Sequence, residues 1–169
     1  MTKTPKESEV IMHELVLPND TNTLNNLMGG RLLHLMDIAS AIAAQRHCNN
    51  IVVTASVDNV SFAHPIKLGQ VVRLKAKLTR AFSTSMEIFT EVTAEDNITG
   101  ERIESNSAFY TFVAVKDGVT CKVPDLKPET EREKELFDGA LRRRQLRLVL
   151  AGRMKPNEAT ELKSIFADD

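Results

Sequence analysis

The chain's strongest structural signal is DTNTLNNLMGGRLLHLMDIASAIAAQRH, residues 20–47. It opens polar, with Asn22, Asn25 and Asn26, passes through Gly29-Gly30, and then turns into a long apolar run. Residues 29–46 are mostly strong helix formers with few β-branched side chains, which predicts a helix there. Apolar residues lie nearly all round it, from Leu32 and Leu33 through Met36 to Ile42 and Ala43, so it is expected to be buried. Arg31, His34, Asp37 and Ser40 recur at intervals of three and read as one narrow polar stripe. A carboxylate inside an apolar helix is costly unless something compensates it. Asp37 is therefore either a member of an exposed stripe or a partly desolvated general base or nucleophile.

Working outward, residues 10–17 read as a strand ending at Pro18, and residues 1–7 as a loose polar start. After the helix come four strand-like segments, residues 51–62, 70–82, 85–94 and 102–115. The second alternates Val72, Leu74, Ala76 and Leu78 with Arg73, Lys75, Lys77 and Thr79, the pattern of a half-buried antiparallel strand. Asp96-Asn97, Thr99-Gly100 and Asp117-Gly118 mark turns. One strand, one long helix and four consecutive strands form an α+β chain: an antiparallel sheet wrapped around one central helix. Residues 121–128 read as a Pro-containing linker. Residues 129–153 read as a charged helix, acidic early and basic late at Arg142, Arg143, Arg144 and Arg147, as the helix dipole favours. Pro156 ends it, and residues 158–166 form a last short helix. The expected division is a domain over residues 8–122, then a linker and charged helical extension over residues 123–169. The arginine-rich helix reads as solvated or interfacial, with anion binding as the other option.

Composition removes several function classes. The chain has 169 residues with a formal net charge of -1, which gives no footprint for nucleic acid or an anionic membrane. Aromatics are scarce, with no Trp and one Tyr, which weakens a reading based on base stacking. Cys48 and Cys121 form no CxxC and suit reduced thiols in a cytoplasmic protein. The first ten residues contain no apolar signal core, and the longest apolar stretch is too short and too polar to span a bilayer. No His, Cys and Asp grouping has zinc-ligand spacing, so no metal is expected. No GxSxG is present, and Gly29-Gly30 fits neither a P-loop nor a dinucleotide fingerprint.

What remains is the chemistry around the helix start. Gly29 and Gly30 let a ligand approach the free N–H groups at a helix N-terminus, where negative charge on an oxyanion is stabilised. Asn22 is a turn former that can also offer its side-chain amide nearby.

The pattern DTN, then GG, then LLHLMDIASAIAAQRHC, then VVTASVDNVSFAHPIKLGQVV, resembles the hotdog-fold acyl-CoA thioesterases, in particular their cytosolic acyl-CoA hydrolase branch. The resemblance continues through SMEIFTEV, SAFYTFVAV and VPDLKPETEREKELF, and covers roughly residues 14–137. It implies a curved antiparallel sheet around one helix, paired into dimers whose sheets join, with hexamers as trimers of dimers. It implies an Asn before the helix and an Asp within it, by motif match Asn22 and Asp37, one from each chain at a dimer interface. The thioester carbonyl would meet the Gly29 and Gly30 amides, with Asn22 orienting the carbonyl or the water. Asp37 would activate that water or attack the carbonyl directly. Met28 stands where relatives more often carry Phe or His, and with Leu33 is expected to shape the acyl pocket. Coenzyme A would be met by Arg80, Ser83, Thr84 and Ser85, matching the family's nucleotide-side loop, and by Lys67 as a point charge. Coenzyme A is then part of substrate and product, and no separate cofactor is implied. His34 either pairs with Asp37 or faces a partner chain. The rival reading is a non-catalytic hotdog module that binds acyl-CoA or a nucleotide. A hotdog dehydratase would need a His-centred site in a different motif context, which is not found.

Overall fold

The computed structural model describes residues 1–166. The chain divides into two compact units, residues 1–127 and a second beginning at Pro128. In the first unit, β1 (Thr2–Lys3), α1 (Pro5–Ser8) and β2 (Val10–Leu15) precede the long helix α2 (Gly29–Cys48). Then come β3 (Ile51–Phe62), β4 (Val71–Ala81), β5 (Ser85–Glu95), β6 (Arg102–Lys116), β7 (Val119–Thr120) and β8 (Asp125–Leu126). The main sheet runs β2-β4-β5-β6-β3, every neighbouring pair antiparallel, with β7 also on β6. The expected sheet around a central helix is thus present, its long strands within about two residues of the expected bounds.

Alternation builds the core. Val72, Leu74, Ala76 and Leu78 of β4 are buried, as are Met86, Ile88 and Val92 of β5. On β6 the buried set is Ala108, Tyr110, Phe112 and Ala114. Against them α2 places Met36 and the small residues Ala39, Ala43 and Ala44, all fully buried, which let the helix backbone approach the sheet. The helix ends at Asn49, whose φ of 53° is the left-handed turn that Asn tolerates, with its N–H donating to the Gln45 carbonyl at 2.8 Å.

Two expectations fail here. The polar stripe is not one surface: nine residues are about two and a half helical turns, so Ser40 points opposite to Arg31. Ser40 is fully buried, and its hydroxyl shares a 2.6 Å hydrogen bond with the Thr90 hydroxyl at the centre of the sheet. The start of the chain is not loose either. β1 pairs in parallel with β8, and α1 opens on Pro5. Lys3 is buried and donates to the Arg46 carbonyl at 2.8 Å, placing a cation at the negative end of α2. The Ser8 hydroxyl accepts from the Leu78 N–H at 3.1 Å, fastening α1 to β4.

His47 is fully buried. Its Nε2 meets the Pro124 carbonyl at 2.8 Å, and its Nδ1 has no partner among the described residues. Burial pushes its pKa below the usual imidazole value. The unfolded chain, with an imidazole pKa near about 6.5, then takes up the proton more readily than the folded one. The stability present above that pH is lost as pH falls toward the folded pKa. Urea midpoints between pH 7.5 and 5 are expected to drop less steeply in His47→Gln than in the wild type. Equal slopes would contradict this.

In the second unit, α3 (Glu131–Leu150) is capped by Thr130. The Thr130 hydroxyl accepts from the Glu133 N–H at 3.2 Å, and the Glu133 carboxylate accepts from Thr130 N–H at 3.1 Å. That box leaves Glu129, the expected start, outside the helix, which begins two residues later at Glu131. A short α4 (Thr160–Lys163), flanked by 3-10 turns at Pro156–Glu158 and Ser164–Phe166, follows Pro156. Its Leu162 N–H reaches the Gln145 side chain at 3.0 Å. Among the described residues, no helix is long and apolar enough to cross a membrane.

Candidate active site

The loop before α2 folds on the side chain of Asn22. Its Oδ1 accepts from the Leu24 N–H at 2.9 Å and the Asn26 N–H at 3.2 Å. With the oxygen held inside the loop, the exposed face of Asn22 is its amide NH2, a donor. Asn25 supplies the left-handed turn, φ 56°. The loop is fastened to the segment after β3: Leu27 N–H donates to Ile66 O at 2.7 Å, and Leu68 N–H to Asn25 O at 2.9 Å. Asn26 and Lys67 form an isolated bridge, which brings exposed Lys67 to the same end. Asp20 accepts Met28 N–H on its carbonyl at 2.9 Å and the Arg31 guanidinium on its carboxylate at 2.9 Å.

Met28 is the N-cap of α2 and makes no side-chain cap. The amides of Gly29, Gly30 and Arg31 therefore lack a partner within the helix, as the first turn of any helix must. A Cβ on Gly30 would meet nothing within 4 Å, so the approach there is open. A Cβ on Gly29 would stand 3.4 Å from the ring of Phe62. Phe62 is 57% exposed and Met28 40%, so two apolar side chains flank these amides.

Asp37 lies eight residues further on, about 12 Å along the axis. It is half-buried, and its Oδ1 accepts a 2.8 Å hydrogen bond from the Thr54 hydroxyl. Among the described residues its Oδ2 has no hydrogen-bond partner, and His34, exposed one turn earlier, does not pair with it. Half-buried Leu33 sits on the same stretch of helix. Thr54 belongs to β3, which ends the sheet and, among the described residues, offers one unpaired edge. That twelve-residue strand exposes four large apolar side chains, Ile51, Val53, Val57 and Phe62.

The residues assigned to coenzyme A do not gather within one chain. Arg80, Ser83, Thr84 and Ser85 lie at the β4–β5 turn, closed by Phe82 N–H to Ser85 O at 2.8 Å. Arg80 stands 5.9 Å from the centre of the Phe82 ring. Thr84 O accepts from Ala114 N–H, close to where β3 begins at the Ile51–Val115 pair. Phe62 pairs with Asn106 at the other end, roughly 35 Å away along the strand. So one end of the unit holds Asn22, Met28, Gly29, Gly30 and Lys67, the middle holds Leu33 and Asp37, and the far end holds Arg80, Ser83, Thr84 and Ser85. Sequence reasoning missed Thr54 and Phe62. Both lie in a run of Val, Ser and Thr whose register against α2 no periodicity reveals.

The sequence profile of the Thioesterase superfamily matches residues 24–101. A Bacillus subtilis protein, described as the uncharacterized acyl-CoA thioester hydrolase YkhA, is 41% identical over 143 residues, 84% of this chain and 83% of that one. The mouse acyl-coenzyme A thioesterase 11 is 40% identical over 88% of this chain, which spans only 25% of that longer protein. An apo-hexameric acyl-CoA thioesterase superposes with a TM-score of 0.86 at 37% identity, over 89% of this chain and 97% of that one. The acyl-CoA hydrolase of Staphylococcus aureus, in complex with butyryl coenzyme A, coenzyme A and coenzyme A disulfide, gives 0.84 at 32% identity, over 90% and 96%. That enzyme has also been solved as single alanine variants of an Asn, of an Asp fifteen positions later, and of a Thr seventeen positions after the Asp.

Proposed function

The chain belongs to the hotdog-fold acyl-CoA thioesterases, and on that premise we propose that it hydrolyses fatty acyl-CoA to a free fatty acid and coenzyme A. The observation that carries this reading is the Asp37 carboxylate, half-buried on α2 and held by Thr54 at the free edge of the sheet. One oxygen is oriented by the hydroxyl, and the other is left to take a proton from water. Asp37 is then the general base. Water oxygen bonds to the acyl carbon, the C–S bond breaks, and the proton passes through Asp37 to the departing sulfur. The developing oxyanion is met by the Gly29 and Gly30 amides and by the NH2 of Asn22, donors already in place before the charge appears. Asn22, Asp37 and Thr54 carry the same spacings, fifteen and seventeen, as the three residues replaced in the Staphylococcus aureus enzyme, which supports these roles.

Asp37 lies about 12 Å along α2 from the Gly29 amide of its own chain, too far for the two to act on one carbonyl. A two-fold dimer joining β3 to β3 supplies the missing half: identical strands paired antiparallel bring the Phe62 end of one against the Ile51 end of the other. The far-end residues Arg80, Ser83, Thr84 and Ser85 then approach the partner's helix start, where with Lys67 they offer cations and hydroxyls to the coenzyme phosphates. Met28, Leu33 and Phe62 line the entry of the acyl chain. The exposed apolar edge of β3 supports such pairing. Further assembly as a trimer of dimers, and a cytoplasmic location, belong to the same proposal.

The test is thiol release from a series of acyl-CoA substrates, acetyl to palmitoyl. Turnover rising to a preferred fatty chain is the expected result. Acyl-CoA that raises the melting temperature but is never cleaved would replace the enzyme by a binding module.

A further inference from the structure

Tyr110 lies on β6 and is 1% exposed, beside Phe112 and Ile88. Its ring stands 6.4 Å from that of Phe112. A phenylalanine would fill this apolar site, so the hydroxyl calls for a reason. It donates to the Leu33 carbonyl at 3.0 Å. In an α-helix that carbonyl also accepts the amide four residues on, which here is the amide of Asp37. The helix does not need the phenol to satisfy Leu33, so what the bond adds is position. Tyr110 pairs with Val57 on β3, three residues beyond Thr54. Two neighbouring strands thus hold the same turn of α2, Thr54 by the carboxylate and Tyr110 by the backbone. Burial, and then the nearby Asp37 carboxylate, push the phenol well above its usual pKa, so it remains a neutral donor throughout the working range.

We propose that Tyr110 is a positioning residue for the reaction, fixing through the Leu33 carbonyl the rotation and depth of the helical turn that carries Asp37. This rests on Asp37 being the base of the proposed thioesterase. Small displacements of a catalytic group are expensive in rate and cheap in substrate affinity. Tyr110→Phe keeps the ring and removes the bond, so kcat is expected to fall about tenfold with KM within about twofold. Ile88→Val serves as the control: Ile88 pairs with Tyr110 from β5, is fully buried, and touches none of the proposed chemistry. It should lower the melting temperature by a similar amount while keeping kcat. A Tyr110→Phe protein with wild-type kcat would overturn the inference, and so would a parallel loss of kcat in both variants. Asp37→Asn measured beside them separates the two levels. If Asp37→Asn still turns over, the thioesterase reading of Asp37 has failed; if it is dead while Tyr110→Phe matches wild type, only the role of Tyr110 has failed.

Discussion

Asp37→Asn is expected to lower acyl-CoA turnover by about a thousandfold with the fold unchanged, the scale of losing a general base. The substitution is nearly isosteric. The Asn side-chain oxygen still accepts from the Thr54 hydroxyl, so the 2.8 Å contact to β3 survives. What disappears is the second oxygen, which has no partner among the described residues and is the one available to water. Because the site is only half-buried and its hydrogen bond persists, melting temperature should move little. Substrate affinity should also hold, since the proposed coenzyme contacts lie elsewhere. The check is kcat and KM on the preferred chain length beside a thermal melt. A variant that retains more than about a tenth of wild-type turnover would remove Asp37 from the chemistry.

The main architecture is legible in the sequence because its signals are long and periodic. Residues 70–82 alternate through a full strand, and β4 is found at Val71–Ala81 with the expected side chains buried. The helix is legible from its apolar circumference, and falls short of its true end only because the left-handed cap at Asn49 depends on φ, which composition does not carry. The opening residues were illegible for a different reason. β1 is two residues long and pairs with β8 more than a hundred residues later, so nothing local marks it. The stripe through Arg31 and Ser40 misled because spacing by three drifts round a helix of 3.6 residues per turn. For the proposed site, residue type and motif single out Asn22 and Asp37. Thr54 was not, since a hydroxyl on an edge strand gains meaning only once the sheet is registered against α2.

The second large effect concerns how many chains make one site. In a single chain Asp37 lies about 12 Å along α2 from Gly29, with Asn22 in the loop before that helix. One thioester carbonyl cannot meet the Gly29 amide and the water on Asp37 across that gap. In the proposed dimer, a second copy joins at the β3 edge, where Val53 is 50% exposed and Val57 40%, and supplies the complementary residue. Asn22→Ala removes an oxyanion donor and should cost about a hundredfold. Asn22→Ala and Asp37→Asn proteins are therefore each nearly inactive alone.

Co-expressing those two variants under different tags, purifying the mixed assemblies and measuring thiol release is the most direct test. With random pairing, half of the dimers are mixed, and each mixed dimer has one site with both residues intact. Recovery to about half of wild-type turnover is expected in purified mixed dimers, and to about a quarter in the unfractionated mixture. Turnover no higher than that of the separate variants, in assemblies confirmed to contain both tags, would contradict a site built from Asn22 of one chain and Asp37 of the other.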